Sequence, residues 1–109
     1  MTSRRTSLGP IAAPVCHWPT ASTMKLPGPY CASVPVHKHP FSRYAYVEAG
    51  QILVMNLQTG TDAQYGPGDF IVEAVDQWHT GAAIGAKDVR LLVIDQHPPG
   101  EAVTVSRTP

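Results

Sequence analysis

The sequence predicts a small all-β domain, a sandwich or barrel of short strands, and three observations point there. Eleven prolines and nine glycines interrupt the 109 residues too often for long helices. Short apolar-rich segments recur at regular spacing with turn residues between them. His37 and His39 stand one residue apart in a segment that reads as extended, which puts both imidazoles on the same side of a strand.

A chain of 109 residues is one domain with room for a real core. Eight basic and eight acidic residues give zero formal net charge, and their scatter leaves no footprint for nucleic acid or an anionic membrane. Cys16 and Cys31 form neither a CxxC nor a dense disulfide pattern and read as intracellular thiols. No apolar run reaches the length of a signal peptide core or the roughly 20 residues of a membrane span, so a cytoplasmic protein is expected.

Residues 1–23 are rich in Ser, Thr and Pro without a sustained period and read as an irregular N-terminal arm. His17 in that arm reads as solvated, and Trp18 suggests that some of the arm packs on the domain or on a partner chain. Residues 24–109 then form the single domain. Leu26-Pro27-Gly28-Pro29 is turn chemistry. Tyr30 to His39 reads as extended, with Pro35 arguing for an edge or bulged strand. Arg43 to Ala49 and Gln51 to Leu57 are strands separated by Gly50, and Gln58 to Asp62 is a turn. Gly66-Pro67-Gly68-Asp69 is the strongest turn signal, with a strand from Phe70 to Ala74 after it. Val75 to Gly81 carries His79, Ala82 to Lys87 reads as a small-residue loop, and Val89 to Ile94 as a buried strand. Val103 and Val105 suggest a last edge strand, and His97, beside two prolines, reads as a surface residue.

The residues just described resemble the cupin superfamily, whose fold is a small antiparallel jelly-roll barrel. Its first motif is Gly, five residues, His-x-His, three or four residues, Glu, six residues, Gly. Here His37, His39 and Gly50 fit, while the leading Gly falls on Cys31 and the Glu on Arg43. Its second motif is Gly, five residues, Pro-x-Gly-x-x-His, three residues, Asn. Gly68 and His79 fit, while Pro, Gly and Asn fall on Ala74, Asp76 and Ala83. Tyr46-Val47-Glu48-Ala49-Gly50 is similar to the Tyr-Val-Leu-Glu-Gly run common in the family, and the match covers roughly residues 25–96.

The resemblance implies that His37, His39 and His79 converge on one divalent transition metal ion. Three imidazoles with open positions suit zinc, iron, manganese, nickel or copper. It implies a small metal-dependent enzyme resembling the quercetin- or diketone-cleaving dioxygenases, or else a non-catalytic cupin that binds a ligand or metal, or a relic without metal. Arg43 cannot replace the family's Glu, because a guanidinium has no lone pair to donate and stays protonated. Pointing inward, it would need an anion beside it, which suggests a substrate carboxylate or enolate; pointing outward, it is an ordinary surface charge. Glu48, Glu73 and Asp76 are carboxylates near the histidines in sequence, none of them at the family position. Cys31 lies roughly 20 Å from His37 along an extended strand, too far to share an ion. Gln77 and Trp78 flank His79 and read as substrate-contacting residues of the pocket or as supports for the imidazole, with core packing the simpler role for Trp78. The expected partners are a small molecule and, from an edge strand and the arm around Trp18, a second copy in a homodimer.

Overall fold

The computed structural model describes residues 17–28 and 33–107, and among them there is no helix. None is therefore long and apolar enough to cross a membrane. Nine strands follow in order: β1 Trp18–Leu26, β2 His37–Lys38, β3 Arg43–Ala49, β4 Gln51–Asn56, β5 Thr61–Tyr65, β6 Phe70–Val72, β7 His79–Ile84, β8 Val89–His97 and β9 Val105–Ser106. They form two antiparallel sheets, of order β1-β8-β3-β6 and β5-β4-β7-β2-β9. This is the expected jelly roll, but no ladder among the described strands joins the two sheets into a closed barrel.

Alternation makes the core. In β8, Val89, Leu91 and Val93 are buried, Arg90 is exposed and Leu92 and Ile94 are half-buried. In β3 the same period buries Ala45 and Val47, and in β6 it buries Ile71 between exposed Phe70 and Val72. Ile52 of β4 and Ala83 of β7 meet them from the second sheet. These inward positions exclude water over the middle of the sandwich, where burial of an aliphatic side chain contributes about 1.5–3 kcal/mol each.

Two glycines sit where a side chain would press on a neighbour. Gly50, with φ 80°, carries the chain from β3 into β4, and a Cβ there would collide with the backbone of Asp88 and Val89. Gly81 lies in β7, where a Cβ would press on the Ile52 side chain at 3.3 Å. Gly81, Ala82 and Ala83 pair with Val54, Leu53 and Ile52 of β4, which makes the segment strand.

Several expectations need correction. Residues 18–23, read as the end of an irregular arm, belong to β1, which pairs with β8 over all nine residues. Their burial explains the misreading: Leu26 alone in β1 is buried, so no apolar period marks the strand, and Pro19 is tolerated on a sheet edge. The small-residue loop begins at Gly85, since β7 continues to Ile84. Between Tyr30 and His39, the described strand is limited to His37 and Lys38, and β2 is an inner strand flanked by β7 and β9. Pro35 avoids the ladder by lying outside it. Cys16 and Cys31 lie outside the described residues, as does the arm before residue 17.

Candidate metal centre

The ladder assembles the histidines. His37 is the register partner of His79, and His39 continues β2 to a bridge with Val75. The imidazole centroids are 4.3 Å apart for His37 and His79, 4.8 Å for His37 and His39, and 5.0 Å for His39 and His79. Two of the rings are buried, with His39 at 1% and His79 at 4% exposure.

Each ring is oriented by a backbone carbonyl. Nδ1 of His37 meets the Pro35 carbonyl at 2.6 Å, that of His39 the Val103 carbonyl at 2.8 Å, and that of His79 the Gln77 carbonyl at 2.8 Å. A carbonyl only accepts, so Nδ1 carries a proton in all three rings and Nε2 is the nitrogen turned toward the centre, where a neutral ring offers its lone pair. This is the tautomer in which a histidine ligates through Nε2.

The fourth group is Glu73, which sequence reasoning had set aside. Its Oε1 lies 3.1 Å from His79 Nε2 and 3.4 Å from His39 Nε2. Glu73 follows β6 on the inward parity of Ile71, and its N–H donates to the carbonyl of Arg43. The carboxylate therefore sits on the strand beside the position where the family motif has Glu. A signal was present: in Ile71-Val72-Glu73, period two sends Glu73 to the same side as buried Ile71.

Arg43 points inward too, on the parity of Ala45 and Val47. The anion beside it is Asp95, its cross-strand partner: Nε donates to Oδ1 at 2.6 Å and an Nη to Oδ2 at 3.0 Å. This paired fork answers the charge of Arg43 without a substrate. Gln77 and Trp78 do not line the cavity beside the histidines. The Gln77 carbonyl holds the His79 ring, while its side chain accepts a hydrogen bond from Asn56. Trp78 lies under two cations, Lys38 at 4.8 Å and Arg107 at 5.6 Å from the ring centroid. His17 packs edge-on against Phe41, and His97 is hydrogen-bonded to Thr20.

Electrostatics favour an ionised carboxylate among the rings. Burial would raise the Glu73 carboxyl, but the His39 and His79 rings beside it outweigh burial and hold it at about 2. Burial lowers His37, against the pull of the Pro35 carbonyl. Burial is the largest single effect on His79 and works against its charge, yet the hydrogen bond to Glu73, the Gln77 carbonyl and the Glu73 charge together outweigh it and raise it.

The group could hold a metal ion. One ligand atom from each of His37, His39, Glu73 and His79 lies within 4.8 Å of all the others. Ligands at about 2.0–2.2 Å from one ion are at most about 4.4 Å apart, so a small contraction closes the set. His39 Nε2 is buried with no hydrogen-bond partner among the described residues, an orphaned lone pair that an ion would satisfy. Three nitrogens and one carboxylate oxygen suit a divalent transition metal with positions left over.

Beside this group lies a cavity of about 250 Å³ between the sheets, walled by Ala45, Ile52, Ile71, Leu91 and Val93 and reaching His37, Glu73 and His79. A smaller one of about 130 Å³, lined by Asn56, Thr61 and Tyr65, meets Glu73 and His79 from the β5 side.

Residues 28–95 match the family described as the cupin domain. The chain belongs to the cupin family. No curated protein sequence matches it. Among solved structures, this cupin is similar to the polyketide cyclase RemF from Streptomyces resistomycificus, at 19% identity and TM-score 0.65, over 84% of this chain and 61% of that one. It is similar to the DMSP lyase DddQ from Ruegeria pomeroyi at 19% identity and TM-score 0.65, over 84% of this chain and 44% of the lyase. A predicted oxalate decarboxylase from Thermotoga maritima is 24% identical with TM-score 0.61, over 71% of this chain and 64% of its own. The chain spans less than two thirds of the length of each of these three. Likeness at this level shows a shared fold.

Proposed function

We propose that this cupin is a metal-dependent enzyme of the oxygenase type, acting on a small organic molecule held in the cavity between its sheets. The observation that carries the reading is the convergence of His37, His39, His79 and Glu73 at the wall of that cavity, with the His39 Nε2 lone pair unanswered by protein. A divalent transition metal bound there would supply Lewis acidity and a place for oxygen and substrate side by side. The carbonyls of Pro35, Val103 and Gln77 hold the rings in the ligating tautomer before anything binds. Glu73, ionised to low pH, supplies the negative charge that three neutral imidazoles lack. The apolar walls exclude water from whatever lies against the four groups. Similarity to a cyclase, a lyase and a decarboxylase supports an enzyme without choosing its reaction.

The test is elemental analysis of the purified protein, followed by oxygen-uptake measurements with diketones and flavonols. Close to one equivalent of a transition metal, with uptake that disappears in His79→Ala, is the expected result. Full metal occupancy with substrate consumed equally fast without oxygen would keep the metal enzyme and remove the oxygenase. Protein that neither carries nor can be loaded with metal would remove the enzyme reading.

A further inference from the structure

We infer that the cavity selects a compact, mostly apolar molecule that offers one oxygen-bearing head to the metal group and carries no more than one negative charge. The inference deepens the metal-enzyme reading and rests on it for the head, but on the walls alone for the body.

The body follows from size and lining. An apolar cavity of about 150 Å³ takes benzene. At about 250 Å³, this one has space for a ring with a short substituent or an equivalent branched chain. Its walls come from both sheets and are aliphatic over most of their extent, with Ala45, Leu91 and Val93 facing Ile52 and Val54. Met24 of β1 closes one side with an unbranched side chain that adapts to what it packs on.

The head follows from which polar groups remain free. The Thr80 hydroxyl donates to the Val34 carbonyl at 2.6 Å. Arg43 spends Nε and one Nη on Asp95, with Thr104 Oγ1 within 3.5 Å of the same Nη. Thr104, Ser106 and the second Nη of Arg43 also border the cavity, but the group that can hold an ion lies at the His37, His79 and Glu73 end.

The charge limit is a matter of counting. Arg43 and Asp95 cancel, and Glu73 leaves one negative charge, so a divalent ion brings the described site to a net single positive charge. A monoanion or a neutral oxygen donor is matched by that field. The second charge of a small dianion would sit among aliphatic side chains, where the bordering cation, Arg43, is already paired with Asp95.

The experiment uses protein loaded with zinc, which is redox-inert, and calorimetric titration with acetate, butanoate, hexanoate and benzoate against oxalate and malonate. Affinity is expected to rise about fourfold for each added methylene until the cavity fills. Benzoate should bind more tightly than oxalate although it has one carboxylate fewer. A flat series, or oxalate binding best, would overturn the inference. Val54→Phe, which adds bulk to the cavity wall, should flatten the series at unchanged zinc content. Ala45→Val gives the same readout if that variant does not fold. An unchanged slope in the folded variant would place the ligand elsewhere and overturn the assignment. Zinc content measured on the same samples separates the two readings. Protein that takes up no zinc yet keeps the chain-length slope sinks the metal centre and leaves the apolar ligand class standing.

Discussion

Glu73 decides how protons and metal compete at this site. A ligating imidazole must present a bare Nε2, so a proton there excludes the ion. His79 holds its proton to higher pH than an ordinary histidine because Glu73 accepts from it, despite the opposing effect of burial. His37, lowered by burial, gives its proton up sooner, and Glu73 at about 2 stays ionised throughout the working range. Zinc affinity should therefore be full at alkaline pH and start to fall while the pH is still above the ordinary histidine value of about 6.5, by about tenfold per unit once His79 is protonated. Competition against a chromophoric chelator across this range measures it. Glu73→Gln should weaken binding by at least about tenfold at alkaline pH and move the onset of the decline to lower pH. Equal pH profiles for the two proteins would mean that Glu73 and His79 do not share the centre.

At the scale of elements, the hairpin of motif and turn before β7 was partly legible. The family motif has Gly at position 76, and the structure shows why: Asp76 sits at φ 59°, a left-handed conformation that costs a non-glycine residue about 1–3 kcal/mol. Two contacts hold it there, its N–H to the His39 carbonyl at 2.6 Å and its carboxylate to Lys38 at 3.1 Å. The ion pair is largely solvated and contributes at most about 1 kcal/mol. Asp76→Gly should therefore be neutral or raise the denaturant midpoint slightly, while Asp76→Val should lower it and loosen the His39 end of the metal group. A midpoint for the glycine variant well below the parent would show that the Lys38 contact outweighs the strain. Sequence reading recovered β3, β4, β6, β8 and the edge strand β9, and the longer of these have an inward apolar face and an outward face that is exposed or half-buried. β7 has that contrast too, but its buried positions after His79 are Gly81 and Ala83, too small to read as apolar, while β1 and β5 lack it. β1 is exposed on both faces for most of its length, and four of the five residues of β5 are exposed. Three of the four site residues were legible because His-x-His and its distant third histidine are spaced by a motif. Glu73 was not, because the carboxylate crosses from one strand to its neighbour, and a linear motif does not record that adjacency.

For the whole molecule, the metal group is also a structural clip. The two sheets share a core of modest side chains, with no backbone ladder between them among the described strands. Glu73 extends β6 of the first sheet, whereas His37 and His79 belong to the second and His39 follows directly on it. An ion held by all four would cross-link the sheets at one end of the sandwich. Binding to the folded chain alone stabilises it by about 2.7 kcal/mol when free metal is a hundredfold above its dissociation constant. For a domain of this size, that shifts the melting temperature by about 10 °C or more. Stripping the protein with a chelator should lower its melting temperature by that amount, and zinc should restore it. His37→Ala should melt near the stripped protein and gain little from zinc, because the remaining donors include only two of the three imidazoles. If the stripped and loaded proteins melt together while zinc is shown to be bound, the ion binds the unfolded chain as tightly as the folded one, and the group is no clip.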